Sequence, residues 1–229
     1  MSKSFKIGFL LFDNITQLDF TGPLQVLSRI PGAKVHLVAA TTDPVQTDCG
    51  PFILPDTLFA DCPQLDLICV PGGFGVDAAM QDKEVLDFLR EQAWKAQYVT
   101  SVCTGAFILG AAGLLQGRKA TTHWRYHEHL AHFGAIPEKD RVVRDGRLFT
   151  GGGVTAGIDF AFTIVRDLAG ETLAEAVQLG LEYDPHPPIL SGSPDLASPA
   201  VREAVEQRFG PRLAAFETLL DDLDLPEPV

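Results

Sequence analysis

Cys103 stands where one apolar run, Tyr98–Val102 (YVTSV), ends and another, TGAFILGAAGLL, begins. A thiol attacks only as the thiolate, and the unpaired N–H groups of a helix start lower its pKa from about 8.5. A sharp strand-to-helix turn also pushes the side chain into a crevice, the logic of a nucleophile elbow. The alternative for Cys103 is a buried small hydrophobe, the reading that fits Cys69 in mid-strand. Asp19, in Leu18-Asp19-Phe20-Thr21-Gly22-Pro23, lies just past the first strand. It reads as a helix cap, or as a carboxyl that holds a transferable proton near Cys103, provided apolar neighbours such as Phe20 raise its pKa. Gly72-Gly73 would let backbone N–H groups approach a bound anion or polarised atom, or simply make a tight turn. Gly151-Gly152-Gly153 admits the same two readings.

His123, His127, Glu128, His129 and His132 invite a zinc reading, since His123 and His127 are four apart on an expected helix. The HExxH arrangement is missing and no third ligand stands at a recognisable spacing, so the histidines are read as surface and packing residues, with no metal and no cofactor expected.

Several elements must position these groups. Lys6–Phe12 (KIGFLLF) is a continuous apolar run, the mark of a strand covered on both faces. Lys34–Ala40, Asp66–Val70 and Tyr98–Val102 are further strands, and Arg118–Thr122 is a short one. Phe20–Ile30 has helical spacing, with Pro23 tolerable only in a first turn. Asp82 caps a helix whose Val85, Leu86, Leu89 and Ala93 share a face. Thr104–Leu115 is apolar nearly all round and hence a buried helix. Arg141–Thr150 is a hairpin turning at Asp145-Gly146. Ala156–Leu168, Leu173–Tyr183 and Ala200–Leu220 are helices. Strands alternating with helices predict an α/β fold, a mostly parallel sheet whose carboxyl ends form the ligand crevice. The expected division is an α/β domain over 1–184, then a Pro-rich segment and C-terminal helix over 185–229. That appendage would pack on the domain or on a second subunit.

The 229 residues, 46% of them hydrophobic, can bury one substantial core. A net charge of −12 repels nucleic acid and anionic membranes. No stretch reaches the roughly 18–20 apolar residues of a membrane helix. The opening MSKSFKIGFLLFDNI lacks a small-residue cleavage site and reads as a strand, not a signal peptide. Cys49, Cys62, Cys69 and Cys103 form no CxxC pair, and free thiols fit a reducing cytoplasm.

The segments GFLLFDNITQLDFTGP, ICVPGGFG, YVTSVCTGAFILGAAGLLQGRKATTHW, RVVRDGRLFTGGGVTAGIDFA and QLGLEYDPHPP resemble the ThiJ/PfpI (class I glutamine amidotransferase-like) superfamily, and within it the isocyanide hydratases. The likeness runs from about residue 6 to residue 190. It implies a flavodoxin-like homodimer with Cys103 as nucleophile, Asp19 beside it and Thr104 following. Gly72, Gly73, Gly152, Val154 and Phe20 are the substrate-binding residues expected around them. Protease-like members place His after the nucleophile, so Thr104 counts against a peptidase. Many other members have Glu where this chain has Asp19, which favours the hydratase subgroup. The activity implied is addition of water to an organic isocyanide, giving an N-substituted formamide through a thioimidate on Cys103. One rival is a ligand-sensing domain such as those of AraC-type regulators, which share the CTG elbow. The acidic stretch after Asp184 is too short for their helix-turn-helix region. A second rival is a glyoxalase-like or redox-protective member.

Overall fold

A computed structural model of the chain describes residues 4–223 and 225. Its centre is a seven-stranded sheet built from β1 (Phe5–Leu10), β2 (Ala33–Ala39), β3 (Thr57–Leu58), β4 (Leu67–Val70), β5 (Tyr98–Val102), β6 (Val142–Asp145) and β7 (Leu148–Gly151). The order is β6-β7-β5-β4-β1-β2-β3, and only the β6–β7 hairpin pairs antiparallel. This is the flavodoxin-like α/β arrangement expected.

The continuous apolar runs follow from a sheet covered on both faces. Ile7 and Phe9 of β1, with Leu67 and Cys69 of β4, pack beneath α1 (Gln17–Leu27), α4 (Ala156–Ala169) and α5 (Glu171–Gly180). Leu10, Ile68 and Val70 face the other way, toward α2 (Lys83–Lys95), α3 (Gly105–Ala111) and α6 (Pro199–Asp222). Asp82 caps α2 by accepting from the N–H groups of Glu84 and Val85, as its sequence position predicts. The C-terminal helix α6 lies against its own chain: Leu213, Phe216 and Leu220 are buried in that second core layer, and the Phe216 ring meets Phe107 with centroids 4.8 Å apart.

Three expectations change. Helix α1 starts at Gln17, so Pro23 falls inside it instead of in its first turn. Proline has no N–H to give the Asp19 carbonyl four residues back, and the missing bond is tolerated because packing of Phe20, Val26 and Leu27 holds the helix. Helix α3 ends at Ala111, where Gly113 with φ 80° turns the chain before Leu115. The histidine segment Trp124–Phe133 is a run of 3₁₀ turns, not an α-helix.

Candidate active site

Four parallel neighbours, β7, β5, β4 and β1, end side by side at the carboxyl edge. Just beyond these ends lie Gly152-Gly153-Val154, Cys103, Pro71-Gly72-Gly73 and, in the first turn of α1, Asp19. Between β1 and β4 the chain reverses its direction across the sheet, the switch point where α/β sheets open a crevice.

Cys103 has φ 56°, a left-handed backbone uncommon outside glycine. Neighbours hold it there. Its N–H is shared between the carbonyls of Gly151 at 3.0 Å and Gly152 at 2.8 Å. Its carbonyl accepts from the Thr122 hydroxyl at 2.7 Å. A side chain at Gly105 would run into the Val70 and Pro71 carbonyls, so only glycine lets the helix leave this close to β4. Strain of this kind, held by surrounding contacts, is characteristic of functional positions.

Asp19 is 0% exposed and sits in the first turn of α1 without capping it. Its Oδ2 accepts the Gly72 N–H at 2.9 Å, a bond across 53 residues. Its Oδ1 is buried without a partner of good geometry, and the carboxyl lies within hydrogen-bonding reach of the Cys103 thiol. Burial raises its pKa to about 7, against the lowering effect of the Gly72 N–H and the Cys103 thiol. The cap reading therefore fails, and Asp19 is a carboxyl able to hold a proton near neutral pH.

The thiol does not follow the expectation drawn from its helix start. Cys103 is 6% exposed, and its pKa lies well above the usual thiol value, first through burial and then through the Asp19 carboxylate. The N–H groups of Thr104 and Val154 and the Thr104 hydroxyl pull the other way without overcoming these. Desolvation outweighs a few oriented dipoles, so the resting pair is a thiol and a carboxyl competing for a proton.

The glycines serve the site from behind. The Gly72 N–H is committed to Asp19 and the Gly73 N–H to the Thr104 hydroxyl at 3.1 Å, so neither is left for a ligand as the sequence suggested. A Cβ on Gly72 would lie 2.7 Å from Thr104 N and Oγ1 and 2.9 Å from Asp19 Oδ2. Gly152 positions the elbow through its carbonyl, while Val154 presents its N–H to the sulfur. Phe20, the next residue along α1, is fully buried and edge-on to Phe9.

The histidines do not converge. His127 Nε2 lies 2.8 Å from the Glu138 carbonyl, and His129 Nε2 lies 3.0 Å from Glu217. Among the described residues no three His, Cys, Asp or Glu side chains group as metal ligands. His123 instead stacks on Phe209 of α6 at 5.6 Å and abuts Gly153, and burial lowers its pKa to about 4. Sequence reading missed the contacts of α6 in this region, where Phe209 meets His123 and Tyr126 and Arg212 reaches the Phe74 carbonyl and Asp77. The TTHW segment was legible as a motif without a role, and nothing local announces contacts from α6.

A left-handed cysteine at a strand end, paired with a buried carboxyl at a sheet switch point, defines an α/β protein with a cysteine elbow. The DJ-1/PfpI family pattern matches residues 5–167, and the chain belongs to that family. Isonitrile hydratase of Pseudomonas putida is 58% identical over 208 residues, 91% of each chain. A ThiJ/PfpI family protein from Pseudomonas syringae superposes with a TM-score of 0.91 at 43% identity, covering 96% of this chain and 90% of that one. The HTH-type transcriptional regulator GbdR of Pseudomonas aeruginosa is 29% identical over 186 residues, 78% of this chain but only 50% of the regulator.

Proposed function

We propose that this protein hydrates organic isocyanides to N-substituted formamides, with Cys103 as nucleophile and Asp19 as the single proton carrier. The observation that carries the reading is the isolated Cys103–Asp19 pair with Asp19 Oδ1 uncommitted. Its strongest external support is the 58% identity to the isonitrile hydratase, extending over 91% of both chains.

An isocyanide carbon, in R–N≡C, accepts a soft nucleophile and then requires a proton. Asp19 takes the Cys103 proton, which a carboxyl with a pKa of about 7 can hold. The sulfur bonds the terminal carbon, and Asp19 delivers its proton to that carbon, leaving R–N=CH–S–Cys103 and a carboxylate. Asp19 next removes a proton from water as the water oxygen bonds to the same carbon, and it passes that proton to nitrogen. Loss of the remaining hydroxyl proton to Asp19 forms the carbonyl, breaks the C–S bond and releases R–NH–CHO. The site is back to one proton shared by sulfur and carboxyl, so one group alternating between acid and base suffices. The Thr104 and Val154 N–H groups, with the Thr104 hydroxyl, stabilise charge on sulfur.

A cytoplasmic homodimer, implied by the family resemblance, belongs to the same proposal. Free thiols at all four cysteines suit a reducing compartment. Exposed Phe52, Leu54, Ile189 and Leu190 are apolar surface for a second copy to cover. The deciding experiment offers the purified protein an alkyl isocyanide and methylglyoxal side by side. Formamide from the first and no consumption of the second is the expected result; the reverse would move the chain to the glyoxalase-like class.

A further inference from the structure

Two of the backbone N–H groups that shape the site belong to one short loop. Gly72 gives its N–H to Asp19 Oδ2 at 2.9 Å, and Gly73 gives its own to the Thr104 hydroxyl at 3.1 Å. The placement of residues 71–75 therefore sets both the carboxyl and the residue that follows the elbow cysteine.

This loop is held from two sides. On one, the Thr16 N–H donates to the Gly72 carbonyl at 2.9 Å, and the Gly75 N–H donates to the Asn14 carbonyl at 3.3 Å. A Cβ on Gly73 would lie 2.4 Å from the Asn14 carbonyl oxygen, so the two segments are in close contact. On the other side stands Arg212 of α6. Its Nη2 donates to the Phe74 carbonyl and to Asp77 Oδ1, each at 3.0 Å. Its guanidinium carbon also lies 5.0 Å from the centre of the Phe74 ring. That ring is exposed, so the guanidinium holds it where core packing does not.

A planar guanidinium can serve a carbonyl, a carboxylate and an aromatic face together, which a compact ammonium cannot. Docking of α6 has its own apolar basis in buried Leu213, Phe216 and Leu220. Arg212 adds to that docking a bond into the loop behind Asp19, from 138 positions away in the chain.

We propose that Arg212 is a positioning residue for the reaction, fixing the loop 71–75 so that its N–H groups keep Asp19 and Thr104 in register with Cys103. This rests on the isocyanide hydration proposed above. Arg212 acts through the loop, and every covalent step remains as written. Proton transfer between Asp19 and its partners is sensitive to small misplacements, so a loosened loop costs rate.

Arg212→Met keeps the aliphatic stem and removes every donor. In the full-length variant kcat should fall about 10- to 100-fold with KM within about twofold, since the bond lost is not one to substrate. The Asp19 carboxyl, followed by carboxyl-carbon NMR and assigned by its loss in Asp19→Asn, should titrate at higher pH than in the wild type. The Gly72 N–H favours the ionised carboxyl, and loosening it gives up that preference. Arg212→Lys keeps a positive charge beside Asp77, which protects the fold, and should show both changes in smaller measure. Leu220→Ala, about two turns along α6, weakens docking without touching the loop. It should melt at least as early as Arg212→Met, yet keep kcat within about twofold and the Asp19 titration in place. An unchanged kcat or an unmoved Asp19 titration in Arg212→Met would each overturn the positioning role. Equal losses of kcat in Arg212→Met and Leu220→Ala would also overturn it, by making Arg212 a docking contact of α6. A wild-type protein that gives no formamide would overturn the hydration reading, and the Asp19 titration would still decide whether Arg212 holds the loop.

Discussion

Two buried cysteines of the same core layer lie on and just past neighbouring strands. Cys69 is within β4 beside Thr100 of β5, and Cys103 directly follows β5. Both are buried, both have thiols made less acidic by burial, and both sense the Asp19 carboxylate. Raised acidity is therefore not what distinguishes them. Cys69 sits in regular strand backbone with its thiol pushed up to about 12 and its strongest compensating contact the Thr100 hydroxyl. Cys103 has a left-handed backbone, two N–H groups and a hydroxyl favouring charge on its sulfur, and a neighbouring carboxyl whose own pKa is raised to about 7. A buried thiol becomes useful when a neighbour can take its proton and the surrounding donors can support the resulting charge. The elbow supplies both and the strand supplies neither.

The largest effect should come from removing the thiol at the elbow. Cys103→Ala is expected to lose turnover to below detection while the fold survives, and retained isocyanide hydration would end the covalent mechanism. Asp19→Asn comes next, with a fall of about 10²–10⁴-fold in rate, because the amide fills the space and cannot carry the proton.

The same substitution sharpens the electrostatic side of the comparison. A carboxyl at 3.8 in the unfolded chain and about 7 in the folded one binds its proton more tightly when folded. Its contribution to stability is therefore complete below about pH 4 and is lost as pH rises toward and through 7. Wild type and Asp19→Asn should melt together near pH 4, and the variant should melt higher at pH 8. The difference has an upper bound of about 4 kcal/mol at about 1.4 kcal/mol per pH unit. Identical melting temperatures across that range would mean that Asp19 is not desolvated as described.

A smaller effect is expected at Gly72→Ala. The added methyl would press on Thr104 and Asp19, and turnover should fall about tenfold with a stability loss of about 1–3 kcal/mol. The smallest effect belongs to the strand cysteine. Cys69→Ala should leave turnover within about twofold and cost about 1 kcal/mol for the lost contacts. Steady-state rates and thermal melts on the pair of alanine variants would break the comparison if Cys69 proved the more damaging.

Much of this protein is written locally. Continuous apolar runs announce strands covered on both faces, because burial on each side demands apolar residues at every position. Asp82 announces α2, Asp145-Gly146 the hairpin turn, and Cys103 its place between strand and helix. Even Asp19 is visible as a carboxyl past the first strand. Its state is not: cap and acid differ only in whether the fold buries it beside Gly72 and Cys103, and the Gly72 contact spans 53 residues. The same holds for the thiol, where local reasoning predicted a lowered pKa and the assembled core reversed the sign by desolvation. The docking of α6 depends on contacts as distant as the Arg212–Phe74 bond, 138 positions apart. Periodicity and turn chemistry act over a few residues and determined the elements and the position of Cys103 between strand and helix. Burial, proton affinity and the docking of α6 are collective properties of packing, and only the tertiary structure decided them.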